Sequence, residues 1–76
     1  MNKKQRKLIE VMITTLEDIR GDVENIMEEE QEKLDNLPEG LSETEMADSM
    51  SNAIDMLAEV IDNLDGAIDN LSELKQ

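Results

Sequence analysis

The side chains with any capacity for acid–base chemistry here are carboxylates: twenty Asp and Glu in 76 residues, with no His, Cys or Tyr beside them. A carboxyl group works as a general acid or base when a pocket shifts its pKa and a second group cooperates. Acids this dense fall at catalytic spacing by chance. The absence of His and Cys also removes thiolate chemistry and the usual zinc ligand sets. Asp62-Asn63-Leu64-Asp65-Gly66 has the flavour of a calcium loop, but counting back from Gly66 puts Ile61 at the first ligand position, and the match fails. Arg20-Gly21-Asp22 spells an adhesion tripeptide, yet it falls inside a predicted helix and reads as coincidence. No catalytic residue, metal site, cofactor or small-molecule substrate is expected, and the chain reads as a non-enzyme.

One acidic arrangement has a specific functional reading. Asp48, Asp55, Asp62 and Asp69 recur every seven residues, which on a helix spaces them about 10.5 Å apart along one face. With Asp65, Glu59 and Glu73 between them they form a dense negative track. Such a rod can imitate a nucleic-acid backbone and occupy a basic groove. The plainer reading is a solubilising face.

Charge is distributed unevenly. The formal net charge is −13, and Lys3, Lys4, Arg6 and Lys7 hold four of the seven positive side chains. The acidic body should be repelled by nucleic acid and by anionic membranes. The basic head lacks aromatic partners, a weak signal for phosphate-backbone binding; a solvated or internally paired N-terminus is expected. Residues 1–16 begin like a signal peptide, but Glu10 interrupts the apolar run and Glu17-Asp18 closes it. No run approaches a transmembrane helix in length. The expected location is cytoplasmic.

The elements that carry these groups are legible from their periods. Residues 46–73 divide into four seven-residue units. Met46, Ala53, Val60 and Ala67 form one apolar column, Ala47, Ile54, Ile61 and Ile68 the next, and Met50, Leu57, Leu64 and Leu71 the third. Together they make one helical face, with the Asp column opposite. Ser42-Glu43-Thr44-Glu45 reads as a capping box flanked by Leu41 and Met46 as a hydrophobic staple. In the first half, Ile9, Leu16 and Val23 form one column and Met12, Ile19 and Ile26 a second, widened by Leu8, Ile13, Met27 and Leu34. The spacing predicts helices over about 3–36 and 43–74, joined by a loop at 37–42, with the first ending before Leu37-Pro38. Basic residues in its first turn oppose the helix dipole, so residues 1–6 should fray.

So short a loop dictates an antiparallel hairpin, in one domain spanning 1–76. Residues whose numbers sum to about 79 should face each other, which places the basic head beside Asp69 and Glu73. It also sets Glu30 and Lys33 opposite Ser49–Ser51, making the loop end the looser half, filled by Met27, Met46 and Met50. Each apolar face is three columns wide, and a two-helix contact covers about two. Self-association into a dimeric four-helix bundle would cover the rest. The expected seam is Ile9, Met12, Leu16, Ile19, Val23, Ile26, Ala53, Ile54, Leu57, Val60, Ile61, Leu64, Ala67, Ile68 and Leu71.

The string NLPEGL followed by AIDML, VIDNL and AIDNL resembles a group of small helical-hairpin proteins of phages and mobile elements of Gram-positive bacteria, over residues 24–74. Their pattern is a Glu-rich first helix, a Leu-Pro-Glu turn and Ala-Ile-Asp-x-Leu heptads; the polar Met46–Asn52 heptad departs from it. The resemblance implies a small accessory protein and transfers no activity. The expected function is therefore a non-catalytic interaction protein, all-α, with a homodimer partner. The alternative is an acidic inhibitor of a basic, nucleic-acid-handling or defence enzyme of the host.

Overall fold

The computed structural model describes residues 1–41 and 44–76. Among them there is no strand; two helices form a hairpin, α1 (Lys3–Asp35) and α2 (Glu45–Leu74), with a 3-10 turn (Glu39–Leu41) in the connection. The molecule is a rod of 59 × 14 × 12 Å.

α1 spans Lys3–Asp35 where about 3–36 was expected, and α2 ends at Leu74; its expected start at 43 lies outside the described residues, and the N-terminus departs from the expected fraying. Asn2 caps α1: its side-chain oxygen accepts from the Gln5 backbone N–H at 2.8 Å, and the Gln5 side chain accepts from the Asn2 N–H at 3.1 Å. This reciprocal pair satisfies two backbone donors and offsets the unfavourable basic first turn. At the other end α1 stops where Asn36 and Leu37 donate to the carbonyls of Glu32 and Leu34, ahead of Pro38. The Pro38 carbonyl accepts from Leu41 N–H at 2.8 Å, closing the tight turn. Thr44 stands at the cap position of α2 without a side-chain capping bond; its hydroxyl donates to the Leu41 carbonyl. The capping box expected at Ser42 lies outside the described residues, and Leu41 and Met46, expected to form a staple, are both exposed.

The core is thin. Ile9, Ile13, Ala47 and Ile61 are buried, while Leu16, Val23, Met27, Leu34, Ile54, Leu57, Leu64 and Ile68 are half-buried along the seam. Met50 is half-buried as a filler should be, but Met46 is exposed and fills nothing.

The axial register differs from expectation. Arg20 bonds Asp65 across the seam, a pair summing to 85 rather than 79, and Ile26 and Glu30 share a groove with Ala53, Met56, Leu57 and Val60. Glu30 therefore sits near Ala53 and Met56, not Ser49–Ser51. On this register the positions facing Lys3–Lys7 fall beyond Leu74, where α2 ends, and Asp69 and Glu73 lie level with Leu16 and Met12. The basic head overhangs the end of α2 and is not neutralised by those acids.

Gly21 and Gly66 lie inside the helices, and a Cβ at either would meet nothing within 4 Å. Neither has a positive φ. Each therefore lowers helix propensity by ~1 kcal/mol without a packing reason. Gly21→Ala and Gly66→Ala should each raise Tm by about 4 °C or more in a circular-dichroism melt at fixed protein concentration.

Candidate functional site

Two helices in contact leave a hairpin with two flanks, and here the flanks differ in chemistry. On one, the apolar columns that the seam does not cover lie open. Met12, Ile19, Ile26 and Val60, four of the fifteen expected seam residues, are exposed; Ile9 and Ile61 are buried, and the other nine are half-buried. Leu8, Met12, Thr15, Ile19 and Ile26 follow helical spacing on α1, so they line one edge. Two shallow grooves show that the matching edge of α2 lies on the same side. One is lined by Met12, Thr15, Leu16 and Leu71 with Val11, the other by Ile26 and Glu30 with Ala53, Met56 and Val60. Met56, at 68 % exposure, and Val11, at 63 %, are the most exposed large apolar side chains. Thr15 interrupts the edge, but its hydroxyl donates to the Val11 carbonyl at 2.8 Å, so it brings no unsatisfied donor to it.

Charge occupies the opposite flank. Arg20 is its organising residue: Nε and Nη2 donate to the two carboxylate oxygens of Asp65, the latter at 3.3 Å, and Nη1 donates to Glu24. The hydrogen bond to Asp65, then that to Glu24, holds the guanidinium pKa above its usual value against partial desolvation, so Arg20 stays charged throughout the working pH range. This also disposes of the Arg20-Gly21-Asp22 tripeptide as an adhesion signal, since its Arg is committed within the fold. The remaining ion pair among the described residues is Lys33 with Glu30 at 3.2 Å.

The acidic track needs one correction. Asp48, Asp55, Asp62 and Asp69 are exposed and take part in no ion pair among the described residues. Asp65 does not belong with them. Three residues on from Asp62, it is rotated by about 60° toward α1, and it serves as the partner of Arg20. Sequence reasoning missed this pairing because it depends on the axial register; the one positive side chain in the middle of α1 was the available signal. It also omitted Ile13 and Ala47 from the seam, although both are buried and both lie on the apolar columns.

Among the described residues no group of three or more His, Cys, Asp or Glu is placed to hold a metal ion. No described helix is long and apolar enough to cross a membrane. No family model, no curated protein and no solved structure matches the chain.

Because the Arg20–Asp65 bond is bidentate but partly exposed, its contribution should be of the order of a solvent-screened surface pair. Arg20→Met should lower thermal stability by that order, and Asp65→Asn should add little further loss in the Arg20→Met background. Equal and additive losses in a double-mutant cycle would show that the two residues are not coupled.

Proposed function

We propose that this protein is a small, non-catalytic, cytoplasmic interaction protein that self-associates through its open apolar flank into a dimeric four-helix bundle. The observation that carries the reading is surface area. A globular monomer of 8.6 kDa exposes about 4,700 Å²; this hairpin exposes 5791 Å². The excess of roughly 1,100 Å² exceeds the ~800 Å² that each partner buries in a stable interface. Exposed Met12, Ile19, Ile26, Met56 and Val60 supply apolar surface for it. The resemblance to phage and mobile-element hairpin proteins fits an accessory role of this kind.

Sedimentation velocity over a hundredfold concentration range tests the reading directly, with interference detection because Trp and Tyr are absent. A dimer is expected. Ile19→Lys combined with Ile26→Lys should convert it to a monomer that keeps its helical circular dichroism, since neither side chain is buried in the hairpin. A wild-type chain that stays monomeric at the highest concentration would refute self-association.

A second reading is favoured by the exposed carboxylates of Asp48, Asp55, Asp62 and Asp69, which enter no ion pair among the described residues. They lie away from the apolar flank and would stay exposed in the dimer, free to enter the basic groove of a host nucleic-acid-handling or defence enzyme. Binding of that kind is steep in salt. Asp55→Asn, Asp62→Asn and Asp69→Asn together should abolish it while the fold persists; undiminished binding by the triple variant would exclude charge mimicry.

A further inference from the structure

The basic head has no role in the hairpin. Lys3, Lys4, Arg6 and Lys7 are exposed, enter no ion pair among the described residues, and project past the end of α2. At the other end of the 59 Å rod, the described residues of 28–48 carry eight acids against the single Lys33. The molecule is thus positive at one tip and strongly negative at the other.

The open apolar edge of α1 runs between these tips. Leu8, Met12, Ile19 and Ile26 are each between 42 % and 51 % exposed, and the midpoint of the run is residue 17. Turning α1 end over end about that midpoint brings Leu8 onto Ile26, Thr15 onto Ile19, and Lys4 onto Glu30. Leu8 and Ile26 meet apolar to apolar at both ends of the edge, Thr15 lies against Ile19 and Met12 against Asp22 in its middle, and the basic head falls on the glutamate run.

We propose that the apolar flank is covered by a second copy of this chain lying antiparallel, α1 against α1, with the basic head of each copy closing on the Glu28–Glu32 run of the other. This rests on the self-association reading and makes the head a recognition element for a second copy, not for a nucleic acid. A two-fold axis along the rod would instead stack α1 on α2 and gather both heads at one tip and both glutamate runs at the other. The apolar faces would be equally covered, but like charge would meet like, so charge selects the antiparallel arrangement. Lys33 already bonds Glu30; Glu29, exposed and in no ion pair among the described residues, borders the apolar edge and is open to the incoming head, while Glu28 and Glu32 lie round the far side of α1 and add to the negative potential of that tip.

Dimer dissociation constants of the full chain and three variants at low salt decide the matter. Glu28→Lys, Glu29→Lys and Glu32→Lys together cut the net charge from −13 to about −7. Reduced overall repulsion alone would tighten the dimer; the antiparallel dimer should weaken about tenfold instead. Lys4→Glu, Arg6→Glu and Lys7→Glu should weaken it similarly. Both sets of changes suit the helix dipole of α1, so unfolding does not explain the loss. A chain carrying both sets should recover to within about threefold of wild type. A head-reversed variant that dimerises more tightly would establish the arrangement with heads together and overturn the proposal. Variants that all match wild type would overturn it as well. A wild-type chain that never dimerises would mark the failure of self-association itself.

Discussion

Everything in this fold hangs on one helix–helix seam. Each helix has an apolar face three columns wide, and a single neighbour covers two of them. Among the described residues no third long element is present to widen the contact, and the chain has no aromatic side chain. Among the described residues only Ile9, Ile13, Ala47 and Ile61 are buried as a result, and the uncovered column becomes an open apolar edge broken at Thr15. The open flank is not a surface accident, since it follows from placing three-column helices in a two-helix fold.

Charge then decides which flank stays apolar. With a net charge of −13 the hairpin works against its own repulsion. Arg20, the one positive side chain in the middle of α1, sits on the polar flank, where it ties α1 to Asp65 of α2 and to Glu24 of its own helix. The exposed acids of the Asp48, Asp55, Asp62 and Asp69 column keep that side hydrated. The opposite flank carries few charges and keeps its methyl and methylene groups exposed. A molecule built this way has a wet side and a sticky side.

The helices, their type and most of their bounds were legible in the sequence, because heptad columns fix which residues share a face and Leu37-Pro38 marks where a helix must stop. The axial offset was not. Period and loop length leave the two helices free to slide, and the offset follows from the turn at Pro38–Leu41 and the reach of Arg20 to Asp65. An error of six in the pairing sum moved the basic head from beside Asp69 and Glu73 to beyond the end of α2. The same offset moved Asp65 out of the acidic track. The Asn2–Gln5 capping box has a spacing signature of its own, but it competes with a basic first turn that opposes the dipole, and the two signals point opposite ways. The acidic column at Asp48, Asp55, Asp62 and Asp69 is legible as a face, because a strict period of seven needs no knowledge of the partner helix.

The two functional readings use different sides of the molecule and do not compete. In the proposed dimer the apolar flanks face inward, so the acidic columns of the two copies point to opposite sides of the bundle. An acidic rod of one copy offers a basic protein a single track. A dimer offers two, held rigidly apart, and a partner with two basic grooves at matching separation would gain avidity with no new contact. Self-association would then set the valence of the acidic surface. The basic heads, occupied against the glutamate runs, would no longer pull such a partner out of register.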